Sequence, residues 1–354
     1  MTSDKQAPAT GFNPATPLRI WAVSDGRAGM ENQVRGLAEA VAALTPSQIN
    51  IKRVKVDGWA EKLPDWAPSW TSGNAFSRVV NVTDKNGDAT TLAAELPDIW
   101  PNIWIGCGRR ITPLTRQIKK LNPATFTVQT QDPGSRQQDF DLIIPPDHDR
   151  LTGQNVFPII GAPNRFSPDH AAQQATQLRA HLGHLPKPRL AVLIGGNSKA
   201  YALDAAALEN IIEQLQLAVK SHGLMISFSR RTGATAETAL RAALDHPDIW
   251  IWDGKPVAGL DNPYAAMLGL ADDIAVTNES TNMITDAAST GKPVHLLALT
   301  GGNAKFRRFH DSLAHITQPF DLPLSGQNYP PLRETERAAK EILKRVLTAI
   351  PAAK

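Results

Sequence analysis

Cysteine is the scarcest residue type in this chain: its 354 residues contain one, Cys107. A single thiol excludes an internal disulfide framework and any metal site built from cysteines alone. Long hydrophobic runs are also missing, since no apolar stretch approaches the roughly 18–20 residues that span a bilayer. Residues 1–16 lack the apolar core of a secretory signal and are expected to form a disordered arm. Together these absences predict a cytoplasmic protein, at most peripheral to a membrane.

A large excess of one charge is absent as well. The chain has 37 Lys and Arg against 34 Asp and Glu, a formal net charge of +3, and the basic residues are spread along its length. Nucleic-acid binding through phosphate contacts usually needs a concentrated basic face, so no nucleic-acid partner is expected. What is present is a globular composition, 42% hydrophobic and 20% charged, long enough for two domains.

From Leu18 onward, short apolar runs alternate with helical segments, which is typical of α/β folds with parallel sheets. In the first half, strands are predicted at Leu18–Ser24, Ile49–Val56, Ile103–Ile105, Thr125–Gln129, Leu142–Ile144 and Val156–Ile160, with a helix over Glu31–Leu44. In the second half, strands are predicted at Leu190–Ile194, Leu224–Phe228, Ile249–Trp252, Ile274–Thr277 and Val294–Leu299. The helices between them are predicted at Asp204–Ser221, Ala234–Leu244, Pro263–Leu270 and Thr281–Thr290.

This alternation predicts an α/β protein with two Rossmann-like doubly wound domains, 17–166 and 190–325, facing a cleft. The stretch 167–189 contains a helix and a proline-rich end, which indicates an interdomain linker. An amphipathic helix in the last segment, 326–354, is expected to pack across both domains.

The loops that follow the strands of the second half are the first places to look for a site, because ligands of parallel sheets bind beyond the carboxyl ends of strands. Gly195 and Gly196 would let a ligand approach the backbone, and Asn197 could donate to a phosphate. A tight strand-to-helix turn is the structural alternative. The loop does not match Gly-x-x-x-x-Gly-Lys-Ser/Thr, which argues against a P-loop NTPase.

Two further loops favour an anion. Arg230 and Arg231 could neutralise a diphosphate, with Thr232 capping the next helix, although for one arginine a solvated surface position is the alternative. Ser280, Thr281 and Asn282 open a helix whose free N–H groups and dipole suit an anion. One and a half turns later, Asp286 could reach a ribose diol.

The segment Asp286–Pro293 resembles the donor-site helix of GT-B glycosyltransferases, in which an acidic residue five before a glycine holds the nucleotide ribose. More of the chain resembles the ELM1-like family, named for a plant mitochondrial-fission protein. The matching motifs span about residues 18 to 310 and are Ser24–Gln33, Gly106–Arg110, Gln129–Pro133, Gly195–Asn197, Ser229–Thr232 and Asn278–Ser280.

This resemblance implies a GT-B-like pair of Rossmann-type domains, with nucleotide-sugar donor binding in the second. It places the acceptor side in the first domain, where Asp25 is the preferred catalytic base for an acceptor hydroxyl. A helix N-cap is the structural alternative for Asp25. The other residues expected on the acceptor side are Arg27, Glu31, Gln131 and Asp132.

The first functional hypothesis is therefore a glycosyltransferase that uses a nucleotide-diphosphate sugar as substrate, with no cofactor, no metal, and an unidentified lipid or glycan acceptor. The second is a nucleotide-sugar epimerase on the same fold, for which Glu279 or His148 would be the additional acid/base. The third is a non-catalytic adaptor at a membrane surface, which would use the basic residues of the C-terminal helix.

Overall fold

The computed structural model describes residues 16–56, 79–83, 89–90, 100–166 and 168–349. The predicted N-terminal arm lies outside these residues except for Thr16. The chain forms two compact units: Met1–Arg165 with Glu334–Lys354, and Phe166–Arg333. None of the helices in the described ranges is both long enough and apolar enough to cross a lipid bilayer.

The first unit is a Rossmann-like sheet flanked by helices. Its described strands are β1 (Leu18–Ser24), β2 (Ser47–Val56), β3 (Val79–Thr83), β4 (Ala89–Thr90), β5 (Ile103–Cys107), β6 (Phe126–Thr130) and β7 (Leu142–Ile144). Its described α-helices are α1 (Ala28–Ala42), α2 (Thr112–Leu121) and, from the end of the chain, α9 (Glu334–Ala349). The strand order is β4-β3-β2-β1-β5-β6-β7, in which the pairs β2–β3 and β3–β4 are antiparallel and the other four pairs are parallel.

Helix α9 belongs to the core of this first unit, although it is remote in sequence. Its buried residues Ala338, Ala339, Ile342 and Val346 join the cluster formed by α1 and the sheet. The helix predicted to pack across two domains therefore begins at Glu334 and completes one of them, because its apolar stripe is used against α1.

The second unit has a sheet of six parallel strands. The described strands are β8 (Arg189–Ile194), β9 (Tyr201–Ala202), β10 (Gly223–Phe228), β11 (Ile249–Ile251), β12 (Asp273–Thr277), β13 (Val294–Leu297), β14 (Thr300–Gly301) and β15 (Thr317–Pro319). The α-helices are α3 (Pro168–His181), α4 (Ala205–Ala218), α5 (Ala234–Ala243), α6 (Tyr264–Leu270), α7 (Thr281–Ala288) and α8 (Ala304–Ser312). The order of the main sheet is β11-β10-β8-β12-β13-β15, and β9 pairs with β14 separately.

The predicted linker 167–189 is wrong, because most of it is built into the second unit. Helix α3 packs so closely on α6 that a Cβ added to Gly269 would lie 2.4 Å from the Ala171 carbonyl oxygen. Ala171, Ala175 and Leu178 form the buried side of α3. The prolines before β8 therefore lead into a strand and do not mark a domain boundary.

One predicted strand is also wrong. Within Val156–Ile160, the backbone forms only isolated bridges, from Val156 to Ile143 and from Ile159 to Pro146. This apolar segment covers the edge of the sheet without forming a ladder, and its backbone groups still find partners in β7 and the following turn.

Both sheets have a point at which the chain changes direction across the sheet. In the second unit the chain runs from β8 outward through β10 to β11, then returns to the other side of β8 as β12. Neighbouring connections leave in opposite directions there, which opens a crevice at the carboxyl ends of β8 and β12. This is the edge on which the second unit's predicted site residues lie.

Lys292 fixes the end of α6 at the opposite edge of the sheet, where β12 and β13 begin. Its Nζ donates to the carbonyl oxygens of Leu268 and Gly269 at 2.7 Å each and of Ala271 at 2.5 Å. The last carbonyls of a helix have no partner within the helix, and a cation there also opposes the negative end of the helix dipole.

We expect Lys292→Met to lower the free energy of unfolding of the second unit by about 2–3 kcal/mol, because it leaves part-buried carbonyls unpaired. Chemical denaturation followed by fluorescence measures this loss. Lys220→Met, at an exposed position after α4, is the matched control. An equal effect of both substitutions would contradict the role of Lys292.

Candidate functional site

The candidate site is formed by the three loops that follow β8, β10 and β12. Glu279, directly after β12, links them, since its side chain reaches the β8 loop at Gly196 and the β10 loop at Arg231. The structure therefore brings the residues predicted in these three loops to one place. The residue that connects them was considered in the sequence only as an epimerase acid/base.

The two glycines of the β8 loop are required by close contacts. A Cβ on Gly195 would lie 1.8 Å from Glu279 Oε1, and one on Gly196 would lie 2.0 Å from the Arg231 carbonyl oxygen. The Gly195 N–H donates to Thr277 Oγ1 at 2.8 Å. The tight packing of the three loops therefore requires glycine at both positions. This agrees with the structural alternative, a tight turn, that was considered for the motif.

Thr232 stabilises the same packing. Its hydroxyl lies 2.6 Å from the Gly195 carbonyl oxygen and 3.0 Å from that of Ile194, and it donates to them. The prediction that Thr232 caps the next helix is wrong, because Gly233 is the N-cap residue of α5. The hydroxyl is used between loops because the β8 loop passes directly beside it.

Glu279 is a buried acid held by two donors. Its side chain is 0% exposed, and its Oε1 accepts from the Gly196 N–H at 3.1 Å and from Arg231 Nη2 at 3.0 Å. Its Oε2 is buried without a hydrogen-bond partner among the residues that the structure describes. Burial raises the pKa of Glu279 above its ordinary value, although its contacts with Thr277, Gly196 and Arg231 act in the opposite direction.

The predicted arginine pair has two different environments. Arg231 is ion-paired to Glu279 but keeps 44% of its side chain exposed, so its remaining N–H groups can still reach a ligand. Arg230 is exposed. Asn197 is turned into its own loop, where Oδ1 accepts from the Leu203 N–H at 2.8 Å.

Helix α7 begins at this edge as predicted. Ser280 is its N-cap residue and accepts from the Met283 N–H at 3.5 Å. Thr281 and Asn282, the first two residues of the helix, are partly exposed. The first N–H groups of α7 and its positive dipole end therefore lie beside the loop that contains Glu279.

Asp286, one turn further along α7, is paired with Tyr264, which no sequence motif marks. Tyr264, the first residue of α6, donates its hydroxyl to Asp286 Oδ2 at 3.1 Å. Burial is the main cause that raises the pKa of Asp286 to about 7, while the hydrogen bond from Tyr264 lowers it. A tyrosine beside a helical aspartate carries no recognisable sequence signal, because the pairing depends on how α6 and α7 pack.

Two further residues lie near Glu279 or the preceding Asn278. Tyr201, in β9, stacks edge-on against Phe306, and its hydroxyl lies 3.4 Å from His310 Nε2. His310, in α8, also interacts with the backbone of Asn278, and burial lowers its pKa. The sequence offered no pattern that would have placed a tyrosine and a histidine from different loops together.

In the first unit, Asp25 follows β1 and is held by arginines. Its side chain is 3% exposed, and Oδ2 lies 2.7 Å from Arg27 Nη2 and 3.7 Å from Arg110 Nη1. It is not the N-cap of α1, since that residue is Arg27. The role of Asp25 as a catalytic base stays a prediction.

The other predicted acceptor-side residues of the first unit have structural partners. Glu31 lies 2.6 Å from Arg53 Nε, and the hydrogen bonds from this arginine lower its pKa. Gln131 Nε2 lies 3.3 Å from Gln33 Oε1, and Asp132 accepts from the Gly134 N–H at 2.8 Å. Arg27 is the exposed partner of Asp25. Their part in acceptor binding stays a prediction.

Cys107 and His148, also in the first unit, are both buried. Cys107 Sγ lies 3.4 Å from Gln33 Oε1, and burial raises the pKa of the thiol to about 12. His148 Nε2 lies 3.9 Å from Asp149 Oδ1. Neither side chain is open to a substrate.

Comparison with known proteins settles the family. The family model described as mitochondrial fission ELM1 matches residues 28–346. The chain belongs to this ELM1 family. It is 26% identical over 306 residues to the mitochondrial fission protein ELM1 of Arabidopsis thaliana, covering 78% of this chain and 71% of that protein. An uncharacterized protein of Rickettsia prowazekii is 27% identical over 367 residues, covering 92% and 98% of the two chains.

Solved structures show the fold of this ELM1 family member. The UDP-GlcNAc 2-epimerase of Neisseria meningitidis, bound to UDP-GlcNAc, has a TM-score of 0.52 at 12% identity and covers 94% of this chain and 99% of its own. The epimerase of Methanocaldococcus jannaschii, in complex with UDP-GlcNAc and UDP, has a TM-score of 0.50 at 12% identity, covering 93% and 99%. The spinosyn forosaminyltransferase SpnP has a TM-score of 0.50 at 11% identity, covering 95% and 96%. The predicted GT-B-like α/β class is thereby confirmed.

We expect Gly195→Ala to destabilise this ELM1 family protein by about 1–3 kcal/mol, because the added methyl group would overlap the Glu279 carboxylate. Thermal unfolding measures the change. Combining it with Glu279→Ala should return part of the loss, since the clashing atoms are removed. A double variant whose loss equals the sum of the two single losses would contradict the steric cause.

Asp286→Asn should stabilise the protein at about pH 8 by about 1–3 kcal/mol. The pKa of Asp286 is raised in the folded state, so the native protein loses stability as the pH rises from 3.8 to about 7. The variant does not lose stability over this pH range, so the difference in free energy of unfolding between it and the wild type should disappear near pH 4. Denaturation midpoints across this range test the effect, and Asp245→Asn, at an exposed position, is the control.

Proposed function

We propose that the second unit binds the diphosphate and ribose of a nucleotide-diphosphate sugar, and that the protein is a GT-B-type glycosyltransferase. The observation that carries the proposal is the convergence of three kinds of group at one edge of the sheet. These are the exposed arginines of the β10 loop, the amino end of α7 and the half-buried Asp286. Each kind recognises a different part of a nucleotide.

The charges fit the departure of a diphosphate. When a sugar is transferred, negative charge builds up on the leaving diphosphate, and fixed cations and helix N–H groups stabilise that charge. In the proposal these groups come from Arg230, Arg231, Ser280 and Thr281. The ribose hydroxyls donate hydrogen bonds to Asp286. Oδ2 of Asp286 is already used by Tyr264, so Oδ1 is the oxygen proposed for the ribose.

The geometry favours transfer over epimerisation. An epimerase needs an additional acid or base in contact with the sugar. The two residues considered as this additional acid or base are both buried. Glu279 is held between the Gly196 N–H and Arg231, and His148 lies in the first unit beside Asp149. Relatives of both activities share the fold, so the fold does not distinguish them.

The adaptor hypothesis has less support from the structure. It relied on the amphipathic helix α9, but the apolar side of this helix is in the core of the first unit. A membrane-surface helix needs that side free to enter the lipid interface.

Isothermal titration with UDP-GlcNAc, UDP-glucose, GDP-mannose and ADP-glucose tests the proposal. We expect at least one to bind, and Arg230→Gln to weaken that binding about tenfold, because a charge-assisted contact to the diphosphate is lost. Arg179→Gln, at an exposed position on α3 of the same unit, should leave binding unchanged. If the folded protein binds none of the four, the proposed function is overturned.

A further inference from the structure

Glu279 is a buried acid whose position a structural role alone does not explain. Its carboxylate lies among the groups expected to bind an anion, with Oε1 on the Gly196 N–H and Arg231, and with Oε2 buried and unpartnered in the described part of the chain. An uncharged side chain would avoid the cost of burying an ion. The position thus places a negative charge where a diphosphate would have to come close.

Placing a diphosphate beside the ionised Glu279 carboxylate costs free energy. Coulomb repulsion between a buried carboxylate and a diphosphate is strong, because the buried surroundings screen charge poorly. The donors are also limited, since the Gly196 amide has one N–H. A ligand that takes this N–H and the Arg231 guanidinium would leave the buried carboxylate without the two donors that now hold its Oε1.

Resting on the function proposed above, we infer that Glu279 is an internal substitute for the diphosphate. As the ligand binds, Glu279 gives up its hydrogen bonds with the Gly196 N–H and Arg231 to the ligand and takes up a proton. One proton moves from the solvent to the carboxylate, and no other covalent bond changes. The neutral carboxyl group no longer repels the diphosphate, and its O–H becomes a donor. Glu279 is therefore a positioning residue: without ligand it keeps the three loops in the binding arrangement.

The groups around Glu279 are consistent with this exchange. Arg231 is the cation that faces it from the β10 loop, Tyr201 faces it from β9, and His310 of α8 touches the backbone of the preceding Asn278. Thr277, the Gly196 N–H and Arg231 each lower the pKa of the carboxyl group, and the transfer of Gly196 and Arg231 to a ligand would remove two of these contributions. Burial already raises the pKa of Glu279.

Titration calorimetry in buffers of different ionisation enthalpy measures the proton uptake directly. The probe is whichever of the four nucleotide sugars binds tightest, because a diphosphate esterified at both ends has no second phosphate ionisation near neutral pH. Asp286 titrates near the ribose and would release a proton on binding. The decisive quantity is therefore the difference in proton uptake between the wild-type protein and Glu279→Gln.

We expect the wild type to take up on the order of one proton more than Glu279→Gln at about pH 8. The affinity of the wild type relative to the variant should rise up to about tenfold for each pH unit of acidification. Glu237→Gln, on the exposed face of α5 and paired with Arg241, is the matched control and should behave as the wild type. Equal proton uptake by the wild type and Glu279→Gln would overturn the inference.

A second measurement does not need the variant to fold. In the wild type, infrared difference spectra should gain the C=O band of a protonated carboxyl group on ligand binding, and a missing band would also overturn the inference. If none of the four nucleotide sugars binds, the proposed function and this inference fall together. If one binds without a difference in proton uptake, only the inference about Glu279 fails.

Discussion

The hydrogen-bonded contact between Glu279, the Gly196 N–H and Arg231 is the interaction on which the candidate site depends. It joins three loops that leave three different strands, and it forces glycine at Gly195. A buried acid with one oxygen unpartnered among the described residues is costly, and costs of this kind cluster at functional sites. The loops are close together because this contact holds them there.

The order of strands explains why those loops meet. In the second unit the chain leaves β8 on one side and returns on the other as β12, so their carboxyl ends are neighbours without intervening connections. The first unit has the same kind of reversal between β1 and β5. There, Asp25 and its arginines occupy the corresponding edge.

Membership of the ELM1 family and the GT-B-like fold do not by themselves identify a function. The fold is shared by epimerases and by a sugar transferase, so the distinction between them lies in individual side chains. In this chain the two groups considered for an epimerase, Glu279 and His148, are buried, whereas Arg230 and Arg231 at the edge of the second sheet remain exposed. That contrast is the basis for preferring transfer.

The sequence by itself determined the fold class, because short apolar strands alternate with helical patterns, and β1 and β7 have the predicted bounds. It also determined which loops hold polar residues. Tertiary structure alone decided that α3 and α9 belong within the units, that Thr232 bridges two loops and that Tyr264 pairs with Asp286. Periodicity reports which face of an element is buried, but the partner that covers that face, or pairs with a buried polar group, is distant in sequence and is set by packing.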